Sequence, residues 1–543
     1  MQKLHSADYI VFLIYFILVS GYGLYIYRRR KATQMNTRDF FLAEGSLTWW
    51  AIGASLIASN ISAEHFIGMS GSGFALGLAI STYEWMAAAT LIIVAVFFLP
   101  VYLKNKIYTM PQFLEQRYNS TVSTIMAIFW LLVYVFVNLT SIIYLGALAI
   151  NAISGISFAV CIIGLALFSI FVTLGGMKVI GYTDVVQVAV LILGGLVTTY
   201  LALNMVSEHY GYGENVMTGA RLMHEKANTH FHMIFDSSHR YYSDLPGLSV
   251  LVGGMWINNL NYWGCNQYII QRALGADLKT ARNGILFAAF LKLLVPVIAV
   301  LPGIAAYVLY QEGLFQNEMV NESGVVKPDH AYPTLLNLLP AGLKGLAFAA
   351  LTAAIVASLA GKANSIATIF SLDIYKKYFH RTATEKQLVL TGRWTVVISM
   401  VIASLVAPAL SNLEQAYQFI QEYVGFISPG VLAIFLMGFF WRRTTSGAAL
   451  TGALLTIPLS TLLKYLPYWT GGAFPDYPFL DRMSIVFVFL VMLMVVISLA
   501  DPRSEKQPVV IEVDTRMFRV TPSFVVASVL ILGVLTALYT VFW

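Results

Sequence analysis

The chain has 543 residues, of which 58% are hydrophobic and only 11% are charged, and its formal net charge is +6. This composition is too apolar for a soluble protein of any fold class and indicates a polytopic membrane protein. The excess of basic residues does not form a nucleic-acid-binding face, because those residues follow membrane topology along the chain.

Fourteen apolar runs are long enough to span a bilayer, so we predict an all-α membrane protein with about 14 transmembrane helices. In chain order the runs cover approximately residues 7–28, 47–72, 76–103, 120–151, 155–175, 181–206, 246–271, 280–312, 340–376, 386–410, 413–441, 446–466, 478–500 and 520–542. Lys and Arg are concentrated in every second loop, as at 28–31 and 376–377. The positive-inside bias then predicts that these loops are cytoplasmic and that both termini lie outside.

The order of the runs indicates an internal duplication. Two blocks of five runs, 47–206 and 246–441, each open with a run that polar residues interrupt at mid-depth, at 60–65 and at 258–263. Because five is odd, the blocks enter the membrane from opposite sides, which predicts an inverted-repeat transporter with its site at the repeat interface. The predicted units are an extra N-terminal helix with a cytoplasmic loop (1–46), the first repeat with an outer loop (47–245), the second repeat (246–445) and three C-terminal helices (446–543).

The first interruption is the first candidate for a binding site. It places Asn60, Glu64 and His65 within one apolar run, and Glu84 follows in the next run. A carboxylate at the middle of a bilayer helix costs about 2.5 to 3.5 kcal/mol on insertion scales, so such groups usually line a cavity, a substrate site or an ion path. Polar side chains that join packed helices are the alternative, but this stretch holds more of them than packing requires.

The candidate substrate site combines neutral hydrogen-bonding groups with a few charges and aromatic rings. Its members are Asn60, Glu64, His65, Glu84, Asn259, Tyr262, Trp263, Lys292 and Gln421. This mixture suits a sugar, whose hydroxyls need donors and acceptors while its C–H face packs on a ring. An amino acid remains an open alternative, as do core packing for Tyr262 and Trp263 and a structural ion pair for Lys292.

A second constellation lies in the run 340–376. It contains Ala354, Ala357, Ser358, Asn364 and Ser365. Carbonyl groups freed at a helix break, together with a hydroxyl from a facing helix, would form the neutral oxygen cage that a sodium ion prefers. Ser358 could equally donate to a carbonyl of its own preceding turn, and the spacing leaves both interpretations open.

Enzymatic and metal-dependent functions find no support in the sequence. The Gly-rich triplet at 71–73 follows no strand, so we interpret it as close helix packing rather than a phosphate loop. The histidines show no zinc-ligand spacing, and we predict no cofactor. A short interfacial helix is predicted at 109–117, where Thr109 is a candidate N-cap, Pro111 follows it and Gln112 is a candidate capping-box residue.

Five motifs resemble the solute:sodium symporter family, and most of all its bacterial sodium/galactose members. They are ASNISAEHFIGM at 58–69, YEW at 83–85, NQYIIQR at 266–272, NSIATIF at 364–370 and QEY at 421–423. The resemblance extends over nearly the whole chain. It implies a LeuT-type core of two inverted five-helix repeats, with one extra helix before and three after, and sodium as a co-transported ion.

The resemblance also implies roles for individual residues. Sugar contacts fall on Asn60, Glu64, His65, Glu84, Asn259, Lys292 and Gln421. Trp263 and Tyr262 match the positions of the ring-stacking and inner-gate aromatic residues of the family. The outer hydrophobic gate matches Met69, Tyr83 and Tyr417. Sodium ligands fall on the carbonyls of Ala58, Ile61 and Ala354 and on the hydroxyl of Ser358, while Asp184 matches an acid on the sodium exit path.

Four residues depart from the pattern of the sodium/galactose members. His65 and Ala87 replace a Gln and a Ser at the sugar site, although animal sodium/glucose carriers also have His at the first of these positions. Ala357 replaces one of two adjacent serines at the sodium site, which predicts weaker ion binding. Lys362 lies one turn beyond Ser358, and we expect its side chain to snorkel toward the cytoplasm. The alternative is an ammonium that takes the place of the ion.

Together these observations predict a transporter of the cytoplasmic membrane, and not an enzyme. It is expected to bring in a galactose- or glucose-like hexose together with sodium by alternating access. Its expected partners are sodium, a small sugar and the lipid bilayer, and no nucleic acid. Sodium- or proton-coupled uptake of sialic acid, inositol or an amino acid is the alternative.

Overall fold

The computed structural model describes residues 4–30, 40–41, 47–320, 324–412, 416–506 and 511–543. Throughout these residues the chain forms helices, turns and short connections, apart from one isolated β-bridge between Val320 and Val326. The prediction of an all-helical protein is therefore confirmed.

One helix, α1 (Ser6–Arg30), precedes the first block of predicted spans. The helices of that block are α2 (Trp49–Asn60), α3 (Ser70–Leu76), α4 (Thr82–Ile93), α5 (Leu99–Lys104), the short α6 (Met110–Arg117), α7 (Ser120–Leu132), α8 (Thr140–Ser154), α9 (Phe158–Thr173) and α10 (Met177–His209). The helical path continues through π-helical segments at Glu64–Met69, Val94–Phe98 and Val133–Leu139, and through a 3₁₀ turn at Gly77–Ser81.

The connecting loop carries α11 (Val216–Lys226), and the second block follows it. Its helices are α12 (Leu248–Val252), α13 (Gly254–Cys265), α14 (Gln267–Leu274), α15 (Leu278–Lys292), α16 (Val295–Gln311), α17 (Ala331–Leu338), α18 (Leu343–Ile369), α19 (Glu385–Val406), α20 (Ala416–Gly425) and α21 (Ser428–Phe440). A π-helical segment, Phe370–Phe379, extends α18. The last three helices are α22 (Ser446–Trp469), α23 (Phe479–Ala500) and α24 (Pro522–Val541).

Eleven helices among the described residues are long and apolar enough to cross a membrane. Three of the predicted runs do not reach that length without interruption. Two of them are the broken segments that open the blocks, and the third is the 16-residue α9. The number fourteen therefore stays a prediction, although every predicted run contains a helical segment.

The helices differ sharply in burial. Nearly all residues of α18 are buried, so this helix lies at the centre of the structure. Peripheral helices instead expose large apolar side chains, such as Leu167 of α9, Val496 of α23 and Leu530 of α24. Extended apolar surface of this kind marks a membrane-facing periphery.

Small residues allow the helices around the centre to approach closely. A Cβ atom on Gly53 of α2 would lie 2.6 Å from the Gly284 carbonyl of α15. A Cβ atom on Gly73 of α3 would lie 2.7 Å from the Val300 carbonyl of α16, and one on Gly71 would also clash with a neighbouring segment. The interpretation of residues 71–73 as helix packing is therefore confirmed.

The predicted interfacial helix is α6. The amide of Gln112 donates to the Oγ1 atom of Thr109 at 3.1 Å, so Thr109 is the N-cap. The Gln112 side chain accepts from the amide of Tyr108 at 2.8 Å, one residue earlier than a capping box requires. The helix is confirmed, with this change in the partner of Gln112.

The first block opens with the break that the sequence predicts. Helix α2 ends at Asn60, and Ile61 has an extended backbone with φ −72° and ψ 122°. The amide of Ser62 donates to the Nδ1 atom of His65 at 3.3 Å instead of continuing the helix. That amide would be the usual i+4 donor to the Ala58 carbonyl, which therefore loses its ordinary helical partner.

The break in the second block lies later than predicted. Residues 258–263 are helical within α13, and the extended residue is Asn266, with φ −93° and ψ 128°. The hydroxyl of Tyr134 donates to Asn266 Oδ1 at 3.0 Å and accepts from the Gln267 amide at 3.1 Å. The Asn-rich stretch stays helical because its side chains can bond to other helices, as Asn261 does to Ser428 at 3.0 Å.

Candidate substrate and ion sites

Lys292, at the C-terminal end of α15, is the centre of a buried polar cluster. Its ammonium donates to the Glu84 carboxylate of α4 and to the Oδ1 atom of Asn60, the last residue of α2. The side chains of Lys292 and Glu84 are 0% and 4% exposed. The ammonium also lies 4.9 Å from the centre of the Trp263 ring on α13. Four predicted site residues from four helices thus meet in one place.

His65 binds the other side of the Glu84 carboxylate. The Nδ1 atom of His65 accepts from the Ser62 amide, so the neutral ring carries its proton on Nε2. This Nε2 atom lies 3.3 Å from Glu84 Oε1. The buried carboxylate therefore has a donor at each oxygen, which is what a charge removed from water requires.

Asn60 connects the charged cluster to a group of aromatic residues. Its Nδ2 atom donates to the Tyr262 hydroxyl at 2.9 Å, while its Oδ1 atom accepts from Lys292. The Tyr262 ring packs edge-on against Trp263 and Tyr268, with ring centres 5.2 and 5.7 Å apart. One side-chain amide thus bonds to both the ammonium and the predicted inner-gate residue.

The remaining predicted substrate residues surround this cluster. Ala87 is buried on α4, and Asn259 is buried on α13, where its Nδ2 atom has no hydrogen-bond partner among the described residues. Gln421 of α20, Glu64 and Tyr262 line a cavity of about 60 Å³. A cavity of this size holds water but is far below the roughly 300 Å³ of the smallest usual ligand pockets. This cavity therefore has no room for a sugar unless its lining residues move.

Two of the three predicted outer-gate residues lie on segments that also supply residues of the cluster. Met69 is buried at the end of the π-helical segment Glu64–Met69, and Tyr83 is buried directly before Glu84. The side chain of Tyr417 lies outside the described part of the structure.

On α18, Ser358 faces the broken end of α2. Its hydroxyl donates to the Ser59 carbonyl at 3.0 Å, and both residues are fully buried. Ser358 therefore bonds to the facing helix and not to a carbonyl of its own preceding turn, and its role as an ion ligand stays a prediction. The other predicted ion ligands are buried on the same two helices or at the break: Ala58, Ile61, Ala354 and Ala357. We call Ser358 and these four residues the ion cluster.

Ser365 and Asn364, two members of the predicted ion constellation, do not take part in the contact between Ser358 and the Ser59 carbonyl. The hydroxyl of Ser365 donates to Gln271 Oε1 of α14 at 2.8 Å, and Gln271 Nε2 donates to Thr368 at 2.9 Å. Ser365 therefore holds α14 against α18 and does not join the ion cluster. The side-chain atoms of Asn364 have no hydrogen-bond partner among the described residues.

Lys362 lies inside the ion cluster and not at the cytoplasmic interface. Lys362 is only 2% exposed. Its ammonium donates to Ser358 Oγ at 2.8 Å and lies 4.8 Å from the centre of the Tyr268 ring. The predicted snorkelling is therefore wrong. The reason is burial: other helices cover α18 along nearly its whole length, so the ammonium has no short path to water. The Ser358 hydroxyl and the face of the Tyr268 ring lie within its reach instead.

A second buried ion pair lies next to the ion cluster. The Arg272 Nη2 atom is 3.8 Å from Asp184 Oδ2, and Ser55 accepts from Arg272 Nε at 2.8 Å while donating to Asp184. A Cβ atom on Gly361 would lie 2.3 Å from Arg272 Nη2, so a side chain there would displace the guanidinium. Asp184, the predicted exit-path acid, is thus fully buried and paired.

Glu64 lies on the π-helical segment that follows the first break. Its carboxylate accepts from Ser141 of α8 at 2.6 Å and from Ser62 at 3.3 Å, and it lines the same cavity as Lys362. Ser141 is not among the predicted site residues, although Asn138 and Thr140 beside it also interrupt that apolar run. Ser59, by contrast, lies within a quoted motif, where only the neighbouring carbonyls were assigned a role.

These features define a class of protein. This multi-pass helical membrane protein has two broken segments. Buried polar residues from both segments meet at one place, beside a helix break that presents several oxygen atoms. This combination is typical of a secondary transporter built from inverted repeats.

Comparison with known proteins gives the family. The model of the Sodium:solute symporter family matches residues 40–456. The sodium/glucose cotransporter of Vibrio parahaemolyticus is 47% identical, over 99% of this chain and 99% of its own length. The human sodium/myo-inositol cotransporter 2 is 33% identical, over 86% of this chain and 71% of its own length. The chain belongs to the sodium:solute symporter family, as its motifs predict.

A solved structure supports the same fold. A Na⁺-coupled sialic acid symporter, in its substrate-bound outward-open state, superposes with a TM-score of 0.77 over 92% of this chain and 98% of that chain. The two are 21% identical, so the likeness shows the fold alone. The predicted LeuT-type architecture is confirmed, and family membership makes the chain a multi-pass transporter with sodium as its co-transported ion.

Proposed function

We propose that the chain carries a galactose- or glucose-like hexose into the cell together with sodium, by alternating access. The observation that carries the substrate class is the buried cluster of Lys292, Glu84 and Asn60 beside an aromatic ring. It occurs in a chain 47% identical, over nearly its whole length, to a sodium/glucose cotransporter. Adjacent sugar hydroxyls need donors and acceptors side by side, and an ammonium, a carboxylate and an amide supply both.

In this proposal the sugar takes over partners that the cluster residues now use for one another. Glu84 accepts from a hydroxyl and Lys292 donates to one, while Asn259 contributes the Nδ2 atom that has no partner among the described residues. Gln421 binds from the cavity side, and Glu64, His65 and Ala87 shape the rest of the site. Uptake of sialic acid, inositol or an amino acid is not favoured.

The proposed gates lie on either side of the sugar. Tyr262 closes the cytoplasmic side with its ring, which Trp263 supports at a centre-to-centre distance of 5.2 Å. Met69, Tyr83 and Tyr417 close the outer side. The small cavity that Tyr262 lines supports its role as a gate, since a sugar could not occupy that cavity unless the ring moved.

Sodium is proposed to bind where α2 breaks against α18. Its ligands are the carbonyls of Ala58, Ile61 and Ala354 and the Ser358 hydroxyl. The 3.0 Å contact between Ser358 and the Ser59 carbonyl supports this, because it brings a side-chain oxygen of α18 to the freed end of α2. An ion there would hold the helices together and preorganise the adjacent sugar site. The missing hydroxyl at Ala357 weakens the binding, and sodium leaves past Asp184.

One sodium ion per sugar is energetically sufficient. Each charge that enters gains about 2.3 kcal/mol per 100 mV of membrane potential, and a tenfold sodium gradient adds about 1.4 kcal/mol. The sum supports roughly several-hundred-fold accumulation of sugar. We place the chain in the bacterial inner membrane, with both termini outside, because basic residues are concentrated in the loops that this orientation makes cytoplasmic.

Counterflow in proteoliposomes tests this function. Vesicles loaded with unlabelled galactose should take up labelled galactose or glucose when sodium is present, and at least tenfold more slowly when choline replaces it. Unlabelled myo-inositol, sialic acid and proline are the competitors for the alternatives. Equal uptake in choline, or stronger competition by one of these solutes than by unlabelled hexose, would contradict the proposal. Vesicles without protein provide the background.

A further inference from the structure

The ammonium of Lys362 is bonded to a proposed sodium ligand. Lys362 lies four residues after Ser358, hence on nearly the same face of α18, and it donates to Ser358 Oγ at 2.8 Å. Ser358 in turn donates to the Ser59 carbonyl at the broken end of α2. A positive charge therefore lies one hydrogen bond away from the helix break where sodium is proposed to bind.

A sodium ion and this ammonium would repel each other strongly at that position. Both would lie within bonding distance of the same Ser358 oxygen, in a buried region where repulsion between like charges is poorly screened. Binding of the ion therefore requires the ammonium to move.

Glu64 offers the ammonium a second position. Glu64 and Lys362 line the same cavity, and a carboxylate and an ammonium that share a buried cavity attract each other. Ser141 and Ser62 hold this carboxylate at 2.6 and 3.3 Å, so it is already oriented. The flexible four-carbon stem of a lysine can move its charge by several ångströms through rotamer changes alone.

We propose that Lys362 is a tethered competitor for the sodium site. In the ion-free carrier its ammonium binds Ser358, and sodium binds by displacing the ammonium toward Glu64. The inference rests on the sodium site proposed above. The lysine does not replace sodium in coupling, because among the described residues its one hydrogen bond is to Ser358, whereas sodium would also bind carbonyls at the break.

Two consequences follow for transport. The sodium concentration needed for half-saturation is higher than it would be without the lysine. When sodium leaves toward the cytoplasm, the ammonium returns to Ser358 and opposes rebinding of the ion. Lys362 therefore lowers the affinity of the site for sodium and speeds the release of sodium.

Binding of ²²Na⁺ to the purified full-length protein, without sugar, tests the inference. Lys362→Met keeps an unbranched side chain and removes the charge, and it should lower the half-saturating sodium concentration at least tenfold. Lys344→Met is the matched control, because Lys344 is buried on the same helix about 27 Å away at 1.5 Å per residue. The control should change the half-saturating concentration less than twofold.

A second variant supplies a readout that a purely structural role would not give. Glu64→Gln removes the partner of the displaced ammonium, so it should raise the half-saturating sodium concentration about tenfold in the parent. In the Lys362→Met background the same change should have no effect, since no ammonium remains to be displaced. Additive effects of the two changes would overturn the inference. If Lys362→Met does not fold, an unchanged sodium affinity in Glu64→Gln overturns it.

The outcome separates this inference from the proposed function. If the parent requires sodium for sugar counterflow and Lys362→Met binds sodium no more tightly, Lys362 is not a competitor and sodium symport stands. If the parent binds no sodium and exchanges sugar equally in choline, the proposed sodium site fails, and the inference fails with it.

Discussion

The Glu84–Lys292 pair allows a separation of sugar binding from stability. Glu84→Gln leaves a fully buried ammonium beside a neutral partner, and loss of one member of a buried pair costs about 3 to 5 kcal/mol. Lys292→Met should destabilise similarly by leaving the carboxylate uncompensated. The double variant removes both charges, so we expect it to recover most of that stability. Sugar affinity should not recover, because a lost charge-assisted hydrogen bond costs about 1.5 to 3 kcal/mol, or ten- to hundredfold.

Two measurements on the purified protein check this prediction. Thermal midpoints in detergent report stability, and the half-saturating galactose concentration in sodium-driven uptake reports sugar binding. Glu225→Gln is the matched control, since this carboxylate forms an exposed pair with Arg221 on α11 and should affect neither quantity. A double variant as unstable as the worse single variant would refute the pairing argument. Unchanged galactose dependence in Glu84→Gln would remove Glu84 from the sugar site.

Three further predictions concern the gate, the ion site and an acid outside the membrane. Tyr262→Ala should speed sugar release and abolish concentrative uptake while counterflow persists, and an unchanged accumulation ratio would mean that the ring is core packing. Ala357→Ser should restore a hydroxyl ligand and lower the sodium concentration for half-maximal uptake, whereas an unchanged value would place sodium elsewhere. The pKa of Asp244, in the loop before α12, is raised to about 6 by burial and by the nearby Glu422. Stability from this group is full below the unfolded pKa near 4 and is lost as the pH rises through 6, so Asp244→Asn should raise the thermal midpoint at pH 7.5 and not at pH 4. A shift of equal size at both pH values would assign the effect to packing.

The sequence shows which buried polar residues need hydrogen-bonding partners. It shows less well which residues those partners are. Charges at mid-membrane are costly, so Glu84 and Lys292 could be assigned to one buried site before the structure was known. The polar interruption of the apolar run at 60–65 also located the first break, which follows Asn60. The residue that Ser358 contacts was not predictable, because a break frees several adjacent carbonyls and only the packing of α18 on α2 selects Ser59.

Two predictions failed because they depended on neighbours distant in sequence. Residues 258–263 are rich in Asn, which favours a break, but bonds to other helices let them stay helical while Asn266 unwinds instead. Lys362 was expected to reach water, and its direction was decided by the burial of α18 and by the position of Tyr268. Neither of these features is visible in the local pattern.

The Asn60 amide has a consequence for the order of events in a transport cycle. Its two ends bind Lys292 and Tyr262 at the same time, so under the proposed function an unloaded site would hold the Tyr262 ring in its gating position. A sugar hydroxyl that competes for Lys292 would free the amide to rotate and would weaken its bond to Tyr262. The loaded carrier would then open inward faster than the empty one, which limits futile opening when no sugar is bound.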